Sequence, residues 1–415
     1  MGTETVDFRK TLTFLQALKK VPSFIRLSAG TLFFNAIRLG FLPLVRSQRS
    51  RNQKPIKKIV IIGFGGIGNH LMLLPAIRMI GKEIPVANLH IVAATQACAE
   101  LFKHEANVDG VSVFSFNPPR SRGLYRAMVR HLRGLKPDAI VAAAGLDPVS
   151  AGMISFLGRA RLRIGANWRG RGFLFTHEVE LNGDEYESTQ NLRLAAALLG
   201  KHCIDSRYFQ MIPQLQLEES LVLEGRRWKE FLKMGPDRFL VGLHPGSGIE
   251  QKWKRWDLRK FVELAECLEE RSSCKCVFFL GPDEADIESD LKNLEWPWEA
   301  INIRFDSILQ TASCIAQCQL FIANDSGLRQ LAVALGVPSI GIFGPTGTGK
   351  NFIGSNIHHA VVADHVFCRP CHYTRWWLAC EGDRRCLADI SVDDIFENAQ
   401  MLICKRGRDK RSTRC

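Results

Sequence analysis

Several short apolar runs in this chain end in residues able to bind anions, nucleotides or metals. Leu320 to Ala323 reads as a buried strand and is followed by Asn324, Asp325, Ser326 and Gly327, a cluster that favours a turn and a helix N-cap. Leu328 to Leu335 then reads as a helix that stops at Gly336, with Ser339 to Phe343 as the next strand. Free N–H groups at such a helix start, at the edge of a sheet, suit an anionic ligand. Earlier, Lys58 to Ile62 leads into Gly63-Phe64-Gly65-Gly66-Ile67-Gly68-Asn69 and a predicted helix over His70–Ile80, a G-x-G-x-x-G turn. The dinucleotide fingerprint also needs an acidic residue after the second strand, but Leu89–Ala94 ends in Thr95-Gln96. A nicotinamide or flavin enzyme is therefore set aside, and what survives is a turn that lets a ligand approach the backbone closely.

Two other constellations compete. Gly344 to Lys350 nearly spells a phosphate-binding Walker loop, but Asn351 stands where Ser or Thr would hold Mg²⁺, and Phe352–Ser355 reads as a loop instead of the required helix. A P-loop enzyme is set aside, although Lys350 remains able to reach a phosphate. Cys368, Cys371, Cys380 and Cys386 form a C-x2-C-x8-C-x5-C cluster whose spacing is compatible with a structural Zn²⁺. The alternative is a set of reduced thiols in a loop that also carries Trp376 and Trp377.

These residues are positioned by two runs of alternating strands and helices. In the first, Asp138–Ala144 is a buried strand ending at Gly145-Leu146-Asp147. Arg159, Arg161, Arg163, Arg169 and Arg171 follow, either as a solvated face or beside a cleft that takes an anionic partner. The segment from His202 to Pro236 reads as an interdomain connection, with a helix over Glu218–Met234. In the second run, Phe239–Leu243 ends at His244-Pro245-Gly246-Ser247-Gly248, followed by Lys252-Trp253-Lys254-Arg255-Trp256 and a helix over Leu258–Arg271. Cys276–Leu280 leads to Gly281-Pro282-Asp283-Glu284. The pattern predicts two doubly wound α/β domains facing a cleft, at residues 57–215 and 216–400, with an N-terminal extension over 1–56 and a basic tail over 401–415.

Charge narrows the partners. Of the net +13, the segment Met1–Lys58 holds +10, from twelve Lys and Arg against Glu4 and Asp7, and the tail Lys405–Cys415 is basic as well. The central domains are near neutral and carry no nucleic-acid motif, so no nucleic-acid partner is expected. Residues 11–46 mix apolar and basic groups, and Arg26 and Arg38 interrupt any run of the roughly 20 apolar residues that a spanning helix needs. An amphipathic segment lying on an anionic membrane surface fits, as does a helix packed on its own protein. Thirteen cysteines, mostly scattered in apolar contexts and without a secretory signal, point to a reducing cytoplasm.

Taken in order, GFGGIGNHLMLLPAIR, GLHPGSG with KRW, LGPDE, ANDSGLRQLAVALGVPSIGIFGPT and CRPC with two later cysteines resemble glycosyltransferase family 9, the heptosyltransferase-type enzymes of lipopolysaccharide core synthesis. The resemblance covers roughly residues 57–400. It implies a GT-B fold, a nucleoside-diphosphate sugar donor bound mainly by the second domain, inversion at the anomeric carbon and no required cofactor. The acceptor, a glycolipid or lipopolysaccharide-type molecule, would be met by the first domain at the cytoplasmic face of the inner membrane. It also implies that Asp325, Ser326 and Gly327 open the helix facing the donor diphosphate, and that Lys254 offsets the leaving charge. Ser247 would contact phosphate, Glu284 would lie near the ribose, and Gly65, Gly66 and Gly68 would let the first loop approach donor sugar and acceptor.

Two positions depart from the family pattern. The family's general base is an Asp where this chain has Asn69, and its His three residues after the DSG glycine is Gln330 here. An amide does not take up an acceptor proton as a carboxylate does. The adjacent His70 and Asp147 are the candidate substitutes, and Gln330 is left to hydrogen-bond a phosphate or sugar hydroxyl. The alternative is a weakened homologue that binds nucleotide-sugar or glycolipid without efficient turnover.

Overall fold

A computed structural model describes residues 54–114, 122–201, 212–235, 238–294, 302–303, 307–372, 380 and 383–412. Most of the predicted N-terminal extension, including the amphipathic segment over 11–46, lies outside the described residues, as do Trp376 and Trp377.

Among the described residues, twelve strands form two sheets. The first contains β1 (Lys58–Ile62), β2 (Asn88–Ala93), β3 (Gly110–Val113), β4 (Ala139–Ala142), β5 (Leu162–Ala166) and β6 (His177–Val179), in the order β3-β2-β1-β4-β5-β6. The second contains β7 (Phe239–His244), β8 (Cys274–Phe279), β9 (Asn302–Ile303), β10 (Leu320–Asn324), β11 (Ser339–Phe343) and β12 (His358–Val362), in the order β12-β11-β10-β7-β8-β9. Every pairing is parallel. The central strands are unbroken apolar runs such as Ile59–Ile62 and Leu320–Ala323, because helices cover both faces of each sheet. The two sheets have the same doubly wound order, whose switch points lie between β1 and β4 and between β7 and β10.

The helices that follow β1 and β10, Ile67–Leu71 and Gly327–Ala334, leave these switch points and pack against each other across the two halves. Glycine makes the approach possible. A Cβ on Gly68 would lie 3.1 Å from Gln330 Cγ, and one on Gly327 would lie 3.1 Å from Ile67 Cβ. One apolar cluster runs through the contact, joining Ile59, Leu71 and Ile91 of the first half to Leu309, Phe321 and Leu331 of the second.

Two expected elements differ. The helix predicted over His70–Ile80 is two helices, Ile67–Leu71 and Leu74–Glu83, because Pro75 sits in the first turn of the second and starts it afresh. At the C-terminus, helix Val392–Ser412 runs through residue 400 and packs on the second sheet, so helix and tail are continuous.

Candidate active site

On the second-domain side, the ends of β7 and β10 carry the polar groups. Asn324, the last residue of β10, is fully buried and ties two loops together. Its Oδ1 accepts from the Trp256 N–H at 3.0 Å, and its Nδ2 donates to the Pro245 carbonyl at 2.8 Å. This holds the His244–Gly248 loop and the Lys252–Trp256 loop in register with the next residue, Asp325. The Asp325 carboxylate pairs with Lys254 Nζ at 3.0 Å and accepts from Asn351 Nδ2 at 3.2 Å. Burial alone would raise its pKa, but the Lys254 and Arg329 charges and the contact with the Lys254 ammonium outweigh it and hold the carboxyl below its ordinary range. Ser326 caps the helix Gly327–Ala334 by accepting from the Arg329 N–H at 3.4 Å. The result is a buried cation, Lys254, beside the positive end of a helix, both at the switch point.

Arg329, a buried residue that sequence reasoning passed over, braces this helix. Its guanidinium lies over the Phe343 and Phe352 rings at 5.2 and 5.6 Å and donates to the Asn351 carbonyl at 2.5 Å. Gln330 donates to the same carbonyl, and its stem is pressed against Gly68. Gln330 therefore fastens Asn351 and the interhelical contact. Ser247 is engaged within its own loop. Its hydroxyl is buried, donates to the Gln251 carbonyl at 2.9 Å and accepts from Arg255 Nε at 3.2 Å, so its role is to shape the loop. Glu284 lies under that loop, where a Cβ on Gly246 would collide with it. Its Oε2 accepts from the Gly281 N–H at 2.9 Å, and Arg255 is 3.9 Å from Oε1.

On the first-domain side the three glycines have different jobs. Gly65 has φ +71 and no room for a Cβ beside Asn69 Oδ1, Gly68 packs on Gln330, and only Gly66 faces open space. Asn69 is held at both ends. Its Oδ1 accepts from the Gly66 N–H at 3.2 Å, and its Nδ2 donates to Glu187 Oε1 at 2.8 Å. Glu187 opens the helix Glu187–Leu198 and is 2 % exposed. Its Oε2 has no hydrogen-bond donor and lies 3.3 Å from Lys350 Nζ, which comes from the opposite half. The short helix Thr348–Asn351 that carries Lys350 presses Gly349 against the Asp184 carbonyl, closing this contact between the halves. Sequence reasoning missed Glu187, whose only signal is a carboxylate at a helix start.

The two candidate substitute bases are committed elsewhere. His70 is fully buried, with Nε2 accepting from the Ala94 N–H at 3.3 Å and Nδ1 within 2.9 Å of the Gly66 carbonyl, to which it donates. Burial lowers its pKa to about 4. It is a structural tie between β2 and the glycine turn. Asp147 caps the helix Pro148–Leu157, accepting from the Ser150 N–H at 3.0 Å and the Ser150 hydroxyl at 2.8 Å, while its other oxygen pairs with Arg171. It lines a small, mostly apolar pocket with Phe64, Tyr125 and Ile154. The arginine-rich stretch is likewise mostly engaged. Arg163 is buried and donates to the Leu174 and Ala160 carbonyls at 2.9 Å, and burial lowers its pKa to about 10.

Cys371 and Cys386 are buried, Cys368 is half-buried and Cys380 is exposed, all as free thiols. Burial, then the neighbouring cysteines, pushes the Cys371 and Cys386 thiols up, Cys386 to about 11. Among the described residues no three His, Cys, Asp or Glu side chains stand as a metal cage. The Cys371 N–H instead donates to the Pro345 carbonyl at 3.0 Å, tying this loop to the segment after β11.

A family model described as glycosyltransferase family 9 (heptosyltransferase) matches residues 125–372. Lipooligosaccharide heptosyltransferase 2 of Haemophilus ducreyi is 24% identical over 358 residues, spanning 84% of this chain and all of the relative. Lipopolysaccharide heptosyltransferase 2 of Escherichia coli is 27% identical over 195 residues, 46% of this chain and 53% of that protein. Among solved structures, E. coli ADP-heptose lps heptosyltransferase II superposes with a TM-score of 0.65 at 20% identity, covering 84% of this chain and 99% of that one. E. coli heptosyltransferase WaaC with ADP-2-deoxy-2-fluoro heptose gives 0.59 at 16% identity, over 83% and 99%. The fold is thus GT-B, two Rossmann-like domains facing a central cleft.

Proposed function

The chain belongs to glycosyltransferase family 9, and we propose that it moves heptose, or a similar sugar, from a nucleoside-diphosphate carrier to a lipopolysaccharide-core or other glycolipid acceptor. The observation that carries this reading is the buried Lys254–Asp325 pair, 3.0 Å apart, at the start of the helix Gly327–Ala334 and opposite the glycine turn of the other domain. A diphosphate seated there meets free helix N–H groups and a desolvated ammonium. Both strengthen as the leaving group gains charge, so the reaction needs no metal to stabilise it. In-line attack by an acceptor hydroxyl from the first domain inverts the anomeric centre. ADP-heptose is the first donor to test, because that donor is named for an E. coli enzyme of the same fold.

The experiment is binding and turnover together. Isothermal titration and thermal shift with ADP-heptose should give saturable binding and a raised Tm, and a lipopolysaccharide-core acceptor should trigger ADP release that EDTA leaves unchanged. If a panel of nucleotide-sugars neither binds nor shifts the melting curve, the donor reading is lost. Asn69 at the family's base position motivates a second reading, a homologue that binds donor without efficient turnover. Binding without ADP release would select it.

No described helix is long and apolar enough to cross a membrane. We place the enzyme on the cytoplasmic surface of the inner membrane, held by its basic N-terminal segment and by the exposed Arg126, Arg130 and Arg133 along helix Arg122–Leu135. A structural Zn²⁺ held by Cys368, Cys371, Cys380 and Cys386 is proposed as a local brace, and metal analysis of the pure protein decides that point.

A further inference from the structure

We infer that Glu187 is the general base of the transfer and that Asn69 is the residue that positions it, an assignment that rests on the sugar-transfer reading above. The candidates nearer in sequence are used up, since both His70 nitrogens face backbone partners and both Asp147 oxygens hold a cap or Arg171. Glu187 differs from Asp147 in that the cation on its second oxygen comes from the opposite domain: one oxygen is fixed by Asn69 and the other is ion-paired to Lys350 without a hydrogen bond. Oε1 is locked by the Asn69 amide at 2.8 Å, and Oε2 is buried with no hydrogen-bond donor. That oxygen is balanced only by the Lys350 charge, so moving Lys350 leaves it able to accept a proton donor. The carboxylate is thus one amide away from the position at which the family carries its Asp.

Lys350, 3.3 Å from Oε2, covers this oxygen from the second domain. Asn351, the next residue on the same short helix, bonds Asp325 at the donor site. A diphosphate at the Gly327–Ala334 helix start draws the Lys350 ammonium to itself and uncovers Oε2 for the acceptor hydroxyl. In the step itself the acceptor O–H proton passes to Glu187 Oε2 as the oxygen bonds the anomeric carbon. The bond from that carbon to the diphosphate oxygen breaks, and the electron pair leaves with the diphosphate beside Lys254. Every atom and charge is then accounted for: a protonated Glu187, a glycosylated acceptor and a nucleoside diphosphate.

The test is a swapped pair, assayed with ADP-heptose and lipopolysaccharide-core acceptor. Glu187→Gln keeps the shape and removes the base, so kcat should fall about 10²–10⁴-fold while ADP-heptose still binds saturably, the lost Lys350 pair being read separately as a lower Tm. Asn69→Asp alone should not raise kcat, because it sets two carboxylates at hydrogen-bond distance and removes the N–H that orients Glu187. Asn69→Asp with Glu187→Gln restores one carboxylate and one amide in exchanged positions, and should recover at least about tenfold over Glu187→Gln. Asn69→Ala should lower kcat and leave the acceptor KM in place, as expected of a residue that aims the base. A Glu187→Gln enzyme at the wild-type rate, or a swapped pair no better than Glu187→Gln, overturns the assignment and leaves Glu187 as an interdomain tie to Lys350. Wild-type protein that binds ADP-heptose and transfers nothing overturns the base but keeps the donor site, whereas absence of binding removes both.

Discussion

The two sides of the cleft are built by different means. On the second-domain side the charged centre, Lys254 with Asp325, comes from two loops stitched by Asn324, and each group belongs to a short contiguous motif. On the first-domain side the central contact joins Asn69 to Glu187 over 118 residues, and its covering cation, Lys350, comes from the other domain. On the proposed assignment, the difference teaches that the donor half is a property of one domain, whereas the acceptor half is complete only when the two domains are docked. Damage to the first should therefore be felt in stability and donor binding, and damage to the second in turnover.

Lys254→Ala is the strongest test of that contrast. Asp325 is buried and Lys254 is the largest of the charges that offset its burial, so removing the ammonium leaves a carboxylate compensated only by Arg329 and the Asn351 amide. The expected cost is about 3–5 kcal/mol in urea unfolding, with loss of ADP-heptose binding. Asp325→Asn together with Lys254→Met removes both charges and should recover much of the stability without restoring transfer. A single Lys254→Ala variant as stable as wild type would mean that the pair is not what organises the donor side.

His70 supplies a smaller, pH-dependent effect on the opposite side. Its folded pKa is lowered from 6.5 to about 4 by burial. The unfolded chain therefore binds a proton that the folded chain refuses between those values, and stability is fully present above pH 6.5 and falls as pH drops towards 4. The shift corresponds to about 3 kcal/mol at most. Measured against His70→Gln, the wild-type advantage in denaturant unfolding should shrink across that window. The Asp325 contribution has the depressed-acid sign, remains above the ordinary Asp range and fades only as pH falls below it. A wild-type advantage independent of pH between 6.5 and 4 would put His70 in a solvated setting and return it to the list of bases.

What could be read from the sequence follows the same division. The central strands of both sheets, their glycine turns and the helix at Gly327 were legible because buried parallel strands are continuous apolar runs and the caps follow at once. The strands Leu162–Ala166, His177–Val179 and His358–Val362 were not read, since Arg163 and the histidines break the apolar pattern. The Lys254–Asp325 pair was legible only as two separate motifs. The internal partners of Ser247 and Gln330 were not legible, because a polar residue in a binding motif can also serve the loop that carries it, and here the Gln251 and Asn351 carbonyls take their donors. Glu187 was invisible for a different reason: nothing local distinguishes it from any acidic residue in a first helical turn, and its partners arrive only through the docking of the two halves.

The finest test of docking is Gly68→Ala. The new methyl would stand 3.1 Å from Gln330 Cγ and 3.7 Å from Gly327 Cα, in a contact tighter than side chains ordinarily make. Gln330 does not swing away freely, because its amide is fastened to the Asn351 carbonyl, so the two helices must separate by a few tenths of an ångström. Overpacking of this kind costs about 1 kcal/mol or more, while Ala in place of Gly inside the helix Ile67–Leu71 returns roughly 0.8–1 kcal/mol. Global stability should then move by less than about 1 kcal/mol in either direction. Turnover should fall further, about tenfold, because Asn69 and Glu187 shift relative to a donor held by the other domain. Adding Gln330→Ala makes room for the methyl and should return most of the lost rate if helix separation is the cause. A Gly68→Ala enzyme that loses stability but keeps its kcat would show that the acceptor side, like the donor side, is set within one domain.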